Sequence, residues 1–307
     1  MDNINAKDIA NFLNEELIGE NITIVAASSF SSPKKNTIVF TNKKFDSLKI
    51  SDVLVICSRE NYEKSKKEFG TSFLISNNPR LSFAKVLQKF FFENDNKQSI
   101  HRTAVIAKDT DIHSSVSIGS NCVIESGVII KEGTIIMNNV VISKNVKIGK
   151  FCFIKSGSVI GEDGFGFDFE EDNTPIRIPH LGSVIINDNV EIGSICTIQK
   201  GTIDNTVINS NVKLSDHVHI AHNCFIEKNC IIAAHAQICG SVKIGKNCWI
   251  GANCSIMQSK KIGDNATIGI GSVIINDIED NVKIMGLEGL DLINLKKIKK
   301  KINFGKF

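Results

Sequence analysis

The stretch that decides the fold is residues 207–274, VINSNVKLSDHVHIAHNCFIEKNCIIAAHAQICGSVKIGKNCWIGANCSIMQSKKIGDNATIGIGSVI. An aliphatic residue returns at every sixth position: Ile208, Leu214, Ile220, Ile226, Ile232, Ile238, Ile244, Ile250, Ile256, Ile262, Ile268 and Ile274. A helix repeats its apolar face about every 3.6 residues and a half-buried strand every second residue, so neither explains a strict six. A parallel β-helix does, because each hexad is a short strand plus a turn and stacked coils bury one aliphatic column per face. Gly often follows the aliphatic residue, as at Gly245, Gly251, Gly263 and Gly269, which suits a tight corner. Within the run, DHVHIAHN at 216–223 holds three of the chain's seven histidines, which marks it as the place to look for chemistry.

Working outward, the hexads begin at Ile106 and run through Ile112, Ile118, Ile124, Ile130, Ile136, Ile142, Ile148, Ile154 and Ile160 in one phase. From Ile160 to Ile186 the step is 26, not a multiple of six, so residues 161–185 leave the coil as a loop. That loop carries DGFGF at 163–167 and PIRIPHLG at 175–182, and an insertion on a rigid scaffold is commonly a functional wall. After Ile186, Ile192 and Ile198, a ten-residue step to Ile208 adds a smaller excursion around 201–204.

Residues 1–100 carry no hexads and read as a small α/β domain. Helical spacing covers 7–17 and again 81–92, the second after the turn signal Asn78-Pro79. Between them lie β-rich runs at 22–25, 37–40 and 53–56. A polar linker at 94–100 precedes the β-helix of 101–285, and 286–307 reads as a short basic C-terminal helix of alternating aliphatic and Lys residues. That helix is either a solvated cap or a contact for an acidic partner.

Hydrophobic content of 42% with 22% charged residues is globular, and a net charge of +3 says little about partners. Neither a signal peptide nor an apolar run of the ~18 residues needed to cross a bilayer is present, so a soluble, cytoplasmic protein is expected. The lysines lack interleaved aromatics or arginines, which argues against nucleic acid. Of nine cysteines, Cys122, Cys152, Cys196, Cys224, Cys230, Cys248 and Cys254 each stand two residues before a column aliphatic. None makes a C-x-x-C pair, so they read as buried, reduced thiols that fill the coil.

These features together resemble the UDP-3-O-acylglucosamine N-acyltransferase family of lipid A biosynthesis, over nearly the whole chain. The α/β domain, the hexads, DGFGF followed by Ile178-Pro179, and IAHN at 220–223 carry the likeness. The resemblance implies a left-handed coil of about 18 residues, three hexads each, which sets His217 under His235 and His222 under Gly240. It implies a homotrimer with sites between subunits, and no permanent cofactor or metal. A thioester of an acyl carrier protein serves as donor and a UDP-linked amino sugar as acceptor. His222 matches the general base, Gly240 the oxyanion donor, and Asp216 stands next to the position of the family's acidic partner, which here is Ser215. Phe40, Asn42 and Phe45 match the uracil-binding segment, with one residue fewer between Phe and Asn and with Phe45 where Tyr is usual. Asp163, Phe165, Phe167, His180, His219, Asn223 and His235 complete the expected substrate site. The chemistry agrees, since an amine attacking a thioester must lose a proton, and imidazole with a pKa near 6.5 can take it.

The chain also departs from that pattern. Ser259 replaces a family histidine, Ala234 and His235 replace glycines, Gln199-Lys200 replaces Asp-Arg, and His180 replaces a Gln. Bulk at 234 and 235 predicts a narrower acyl channel, hence a shorter acyl group or another amino sugar. Two other readings remain: a CoA-dependent acyltransferase on nucleotide-linked amino sugars, and a non-catalytic β-helix scaffold. A zinc site from His217, His219, His222 and His235 is the weakest alternative.

Overall fold

The computed structural model describes residues 4–45, 51–65, 70–92 and 99–286. The chain divides into two compact units, Met1–Asp95 and Asn96–Phe307. The linker expected at 94–100 falls mostly, and the C-terminal helix expected at 286–307 almost wholly, outside the described residues.

The second unit is a parallel β-helix. Its strands, two residues long except Val184–Ile186 and Thr206–Ile208, form three sheets of nine, nine and eight strands. The first face runs from Ser117–Ile118 to Lys283–Ile284, the second from Val105–Ile106 to Val273–Ile274, and the third from Asp111–Ile112 to Lys261–Ile262. Partners lie 18 positions apart, as in Ile124 with Ile142 and Ile232 with Ile250. Each aliphatic residue therefore lands on the one below, and the columns merge into a single buried core. The phase breaks where the sequence does. Ile160 pairs with Ile198, 38 positions on, and Ile198 pairs with Ile220, 22 positions on. A further strand, Lys283–Ile284, pairs with Thr267–Ile268 at a spacing of 16, so the helix continues one shortened coil beyond Ile274.

The corners differ from the sequence expectation. Gly245, Gly251, Gly263 and Gly269 do not carry positive φ; the left-handed positions are mostly asparagines, among them Asn211, Asn229, Asn247 and Asn265. Asn tolerates αL and can bond locally. Here each Asn amide donates to the next, Asn211 to Asn229 at 3.1 Å, Asn229 to Asn247 at 3.0 Å and Asn247 to Asn265 at 3.0 Å. The glycines answer a different need, close approach of coils: a Cβ on Gly251 would sit 2.6 Å from the Ile270 nitrogen. The seven coil cysteines are buried and free, and each thiol meets a carbonyl of the next coil, as in Cys248 with Gly263 O at 3.0 Å. Burial pushes the Cys224 thiol up to about 12, which makes it inert at neutral pH.

The first unit is a five-stranded sheet with four neighbouring parallel strands and one antiparallel edge strand, Glu16–Ile18. The helix expected over 7–17 spans Ala6–Leu13, because Asn14 turns into αL and Glu16–Ile18 pairs with Thr71–Ile75. The helix expected over 81–92 is α only across Pro79–Val86 and becomes a π turn at Leu87–Phe91. Helix Arg59–Lys64 and strand Thr71–Ile75 have no counterpart in the sequence reading.

Ile238 has no exposed surface in the column beneath the site. Ile238→Ala is expected to destabilise the chain by about 2–5 kcal/mol, the usual cost of emptying such a site, seen as a lower Tm in a thermal melt.

Candidate active site

Both breaks in the hexad ladder open at one corner, between the second and third faces. The long loop leaves after Val159–Ile160 and rejoins at Val184–Ile186; the short one leaves one coil later, after Thr197–Ile198, and rejoins at Thr206–Ile208. The next coil turns the same corner through Ala221, His222, Asn223 and Cys224. Backbone bonds lock the excursions together, with Lys200 N to Glu162 O at 3.0 Å and Leu181 N to Thr202 O at 2.7 Å. Lys200 Nζ lies 2.7 Å from Asp163 Oδ1, and the ammonium beside it holds the Asp163 carboxyl below its ordinary range.

His222 is held on three sides. Asn223 Oδ1 accepts from the Thr202 N–H at 3.0 Å and from its hydroxyl at 2.9 Å, so that atom is the amide oxygen. The same oxygen lies 2.9 Å from His222 Nδ1. An acceptor there puts the proton on Nδ1 and leaves the Nε2 lone pair free. On the far side a Cβ at Gly240 would fall 2.6 Å from both Cε1 and Nε2, so only glycine fits one coil on. The Gly240 N–H finds no acceptor among the described residues, and is free to donate. On the third side stands His180, its ring edge-on to His222 at 5.3 Å and 72°.

The other expected residues are spread out. His219, one strand earlier on the second face, meets Thr197 Oγ1 through Nδ1 at 2.6 Å, and burial lowers its pKa. Within one chain Asp216 sits at the preceding corner, not beside His222. It accepts from Ser194 N at 2.8 Å and meets Lys155 at 3.4 Å, and the Ser194 N–H chiefly lowers its pKa. His235 stacks flat on His217 at 4.6 Å at that same corner. Phe165 and Phe167 pack at 5.0 Å on the long loop, Arg177 lies over Phe167, and Phe165 is 81% exposed. In the first unit Phe40 packs against Phe83 at 4.9 Å and Phe45 against Phe30 at 5.1 Å, in two separate clusters, with Asn42 exposed. Thr202 was missed by the sequence reading. Its signal is the four-residue break after Ile198, in phase with the corner of His222.

Comparison with known proteins fits this geometry. Residues 127–162 match the model of the bacterial transferase hexapeptide (six repeats), and 241–276 that of the hexapeptide repeat of succinyl-transferase. A UDP-3-O-acylglucosamine N-acyltransferase of Saccharophagus degradans is 35% identical over 237 residues, 70% of this chain and 68% of that one. The chain belongs to this N-acyltransferase family. A second member, from Francisella tularensis subsp. holarctica, is 31% identical, with 72% of this chain and 71% of the relative covered. Among solved structures, the UDP-N-acetylglucosamine acyltransferase of Francisella novicida superposes with a TM-score of 0.56 at 26% identity, covering 65% of this chain and 73% of that one. That of Bacteroides fragilis gives 0.55 at 26%, covering 65% and 78%. The chain is thus an acyltransferase built on a left-handed β-helix. No helix among the described residues is long and apolar enough to cross a membrane.

Gly240→Ala should drive a methyl into the His222 ring. Acyl transfer is expected to fall by about 10²-fold, the scale of a 1 Å displacement of a reacting group, while the far-UV circular dichroism stays that of the parent.

Proposed function

We propose that the chain moves an acyl group from the thioester of an acyl carrier protein to the amine of a UDP-linked amino sugar, with His222 as general base. The observation that carries this reading is the Thr202, Asn223, His222 chain of hydrogen bonds, which points a free Nε2 at Gly240. The acceptor class comes from the names of the relatives, and the carrier donor is part of the proposal.

The amine nitrogen attacks the thioester carbonyl carbon, a C–N bond forms, and His222 Nε2 takes the proton the nitrogen sheds. The carbonyl oxygen becomes an oxyanion and accepts from the Gly240 N–H, a donor typically worth about 10²- to 10³-fold in rate. Collapse breaks the C–S bond, and the imidazolium returns its proton to the departing thiolate. Asn223 stays hydrogen-bonded to Nδ1–H throughout and stabilises the charged ring.

His222→Ala should lower kcat by about 10²- to 10⁴-fold, the usual contribution of a general base. A mass-spectrometric panel of acyl-carrier and acyl-CoA thioesters against UDP- and dTDP-linked amino sugars should give an amide product only with a carrier donor and a UDP acceptor. Transfer unaffected by His222→Ala removes the base, and efficient use of CoA donors replaces the carrier. We also propose a homotrimer, supported by the exposed valines Val105, Val123 and Val273 on the second face. Light scattering after size exclusion is expected to give three times the mass of the chain, and a monomeric mass rules it out.

A further inference from the structure

His180 is the one buried histidine among the described residues, 4% exposed, and the His222 mechanism makes no use of it. Its Nδ1 lies 3.1 Å from Ile178 O. A carbonyl oxygen only accepts, so Nδ1 carries the proton and Nε2 the lone pair. That Nε2 is sealed from water and has no hydrogen-bond partner among the described residues. Gly164 roofs it: a Cβ there would lie 2.6 Å from His180 Nε2, and 2.9 and 3.0 Å from His222 Cβ and Cδ2. The loop therefore presses a neutral, tethered imidazole against the side of His222 that Asn223 and Gly240 leave open.

Protonating His180 would give Nε2 a hydrogen with nothing to accept it, which is costly in a buried place. It would also set a cation against His222. The charged and titratable groups facing His180 are His222, Lys200 and Asp163, and Asp163 is already paired with Lys200. Burial first, and then His222, hold the His180 pKa below its ordinary value. Neutral His180 is thus the resting state at neutral pH, and it gives way only as pH falls.

We propose that His180 is a positioning residue for His222 and must be uncharged for the base to act, so that protonation of either ring stops the reaction. This rests on the reading of His222 as base. The neutral ring blocks rotation of His222 about its Cβ–Cγ bond and leaves its Nε2 aimed at the acceptor amine. A protonated ring would repel the imidazolium that His222 must become, and would unseat the loop at Gly164.

The test measures kcat and kcat/KM against pH with the acyl-carrier thioester and the UDP-linked amino sugar that the mass-spectrometric panel selects, in the parent, His180→Gln and His180→Phe. For the parent, log kcat/KM on the acid side should steepen to a fall of two per pH unit. Both variants should fall by one per unit, with KM within about twofold; kcat should drop about 10- to 100-fold in His180→Phe, as expected for a misplaced base, and by less in His180→Gln, which carries the residue usual in the family. A single-proton slope in the parent, or the parent's slope kept in both variants, overturns the proposal. Nitrogen-15 histidine NMR on the parent needs neither substrate nor variant. It should show His180 neutral and protonated on Nδ1 alone at pH 7; an Nε2–H form or an imidazolium at pH 7 overturns it. Full activity in His222→Ala would instead remove the base while leaving the NMR result intact, so the two failures are distinguishable.

Discussion

Everything in the acyltransferase unit depends on one constraint: each coil must place its aliphatic residue on the one beneath it. With backbone bonds running coil to coil and isoleucines merged into one core, a slip by one residue would turn a whole column out to solvent. The chain can therefore add residues only where it turns. It does so twice, and both additions leave at the corner between the second and third faces. That rule brings an insertion of 20 residues, another of four and the histidine of the following coil to one edge of the prism.

The site's chemistry follows from that edge. The short excursion supplies Thr202, which decides the orientation of the Asn223 amide, and the amide in turn decides which nitrogen of His222 is bare. The coil above supplies Gly240, whose missing side chain leaves room for the ring and whose N–H stays uncapped. At several other corners the equivalent N–H is taken by a side chain of the neighbouring coil, as Asp264 takes Lys246 N at 2.9 Å and Asp216 takes Ser194 N at 2.8 Å.

The β-helix was fully legible, because a period of six has one simple structural solution and the insertions announce themselves as breaks in phase. His222 under Gly240 and His217 under His235 followed from the 18-residue coil that the family resemblance implies. The glycines were misread: they serve contact between coils, and the left-handed turns fall to asparagine, whose role shows only once neighbouring amides are seen to bond. The first unit was harder, because its helices are short and their ends are set by tertiary pairing, as when Glu16–Ile18 joins the sheet instead of prolonging a helix. Asp216 illustrates the same limit within the coil. Sequence places it six residues before His222, but a hexad of spacing is a whole face of the prism, and its partners are Ser194 and Lys155.

The central claim is that His222 Nε2 faces the amine to be acylated. A crystal structure of the protein with a UDP-linked amino sugar tests it most directly. The account predicts the sugar nitrogen within about 2.6–3.2 Å of Nε2. An amine bound away from the corner shared by His222 and Gly240, with Nε2 turned to solvent or to protein, would contradict it.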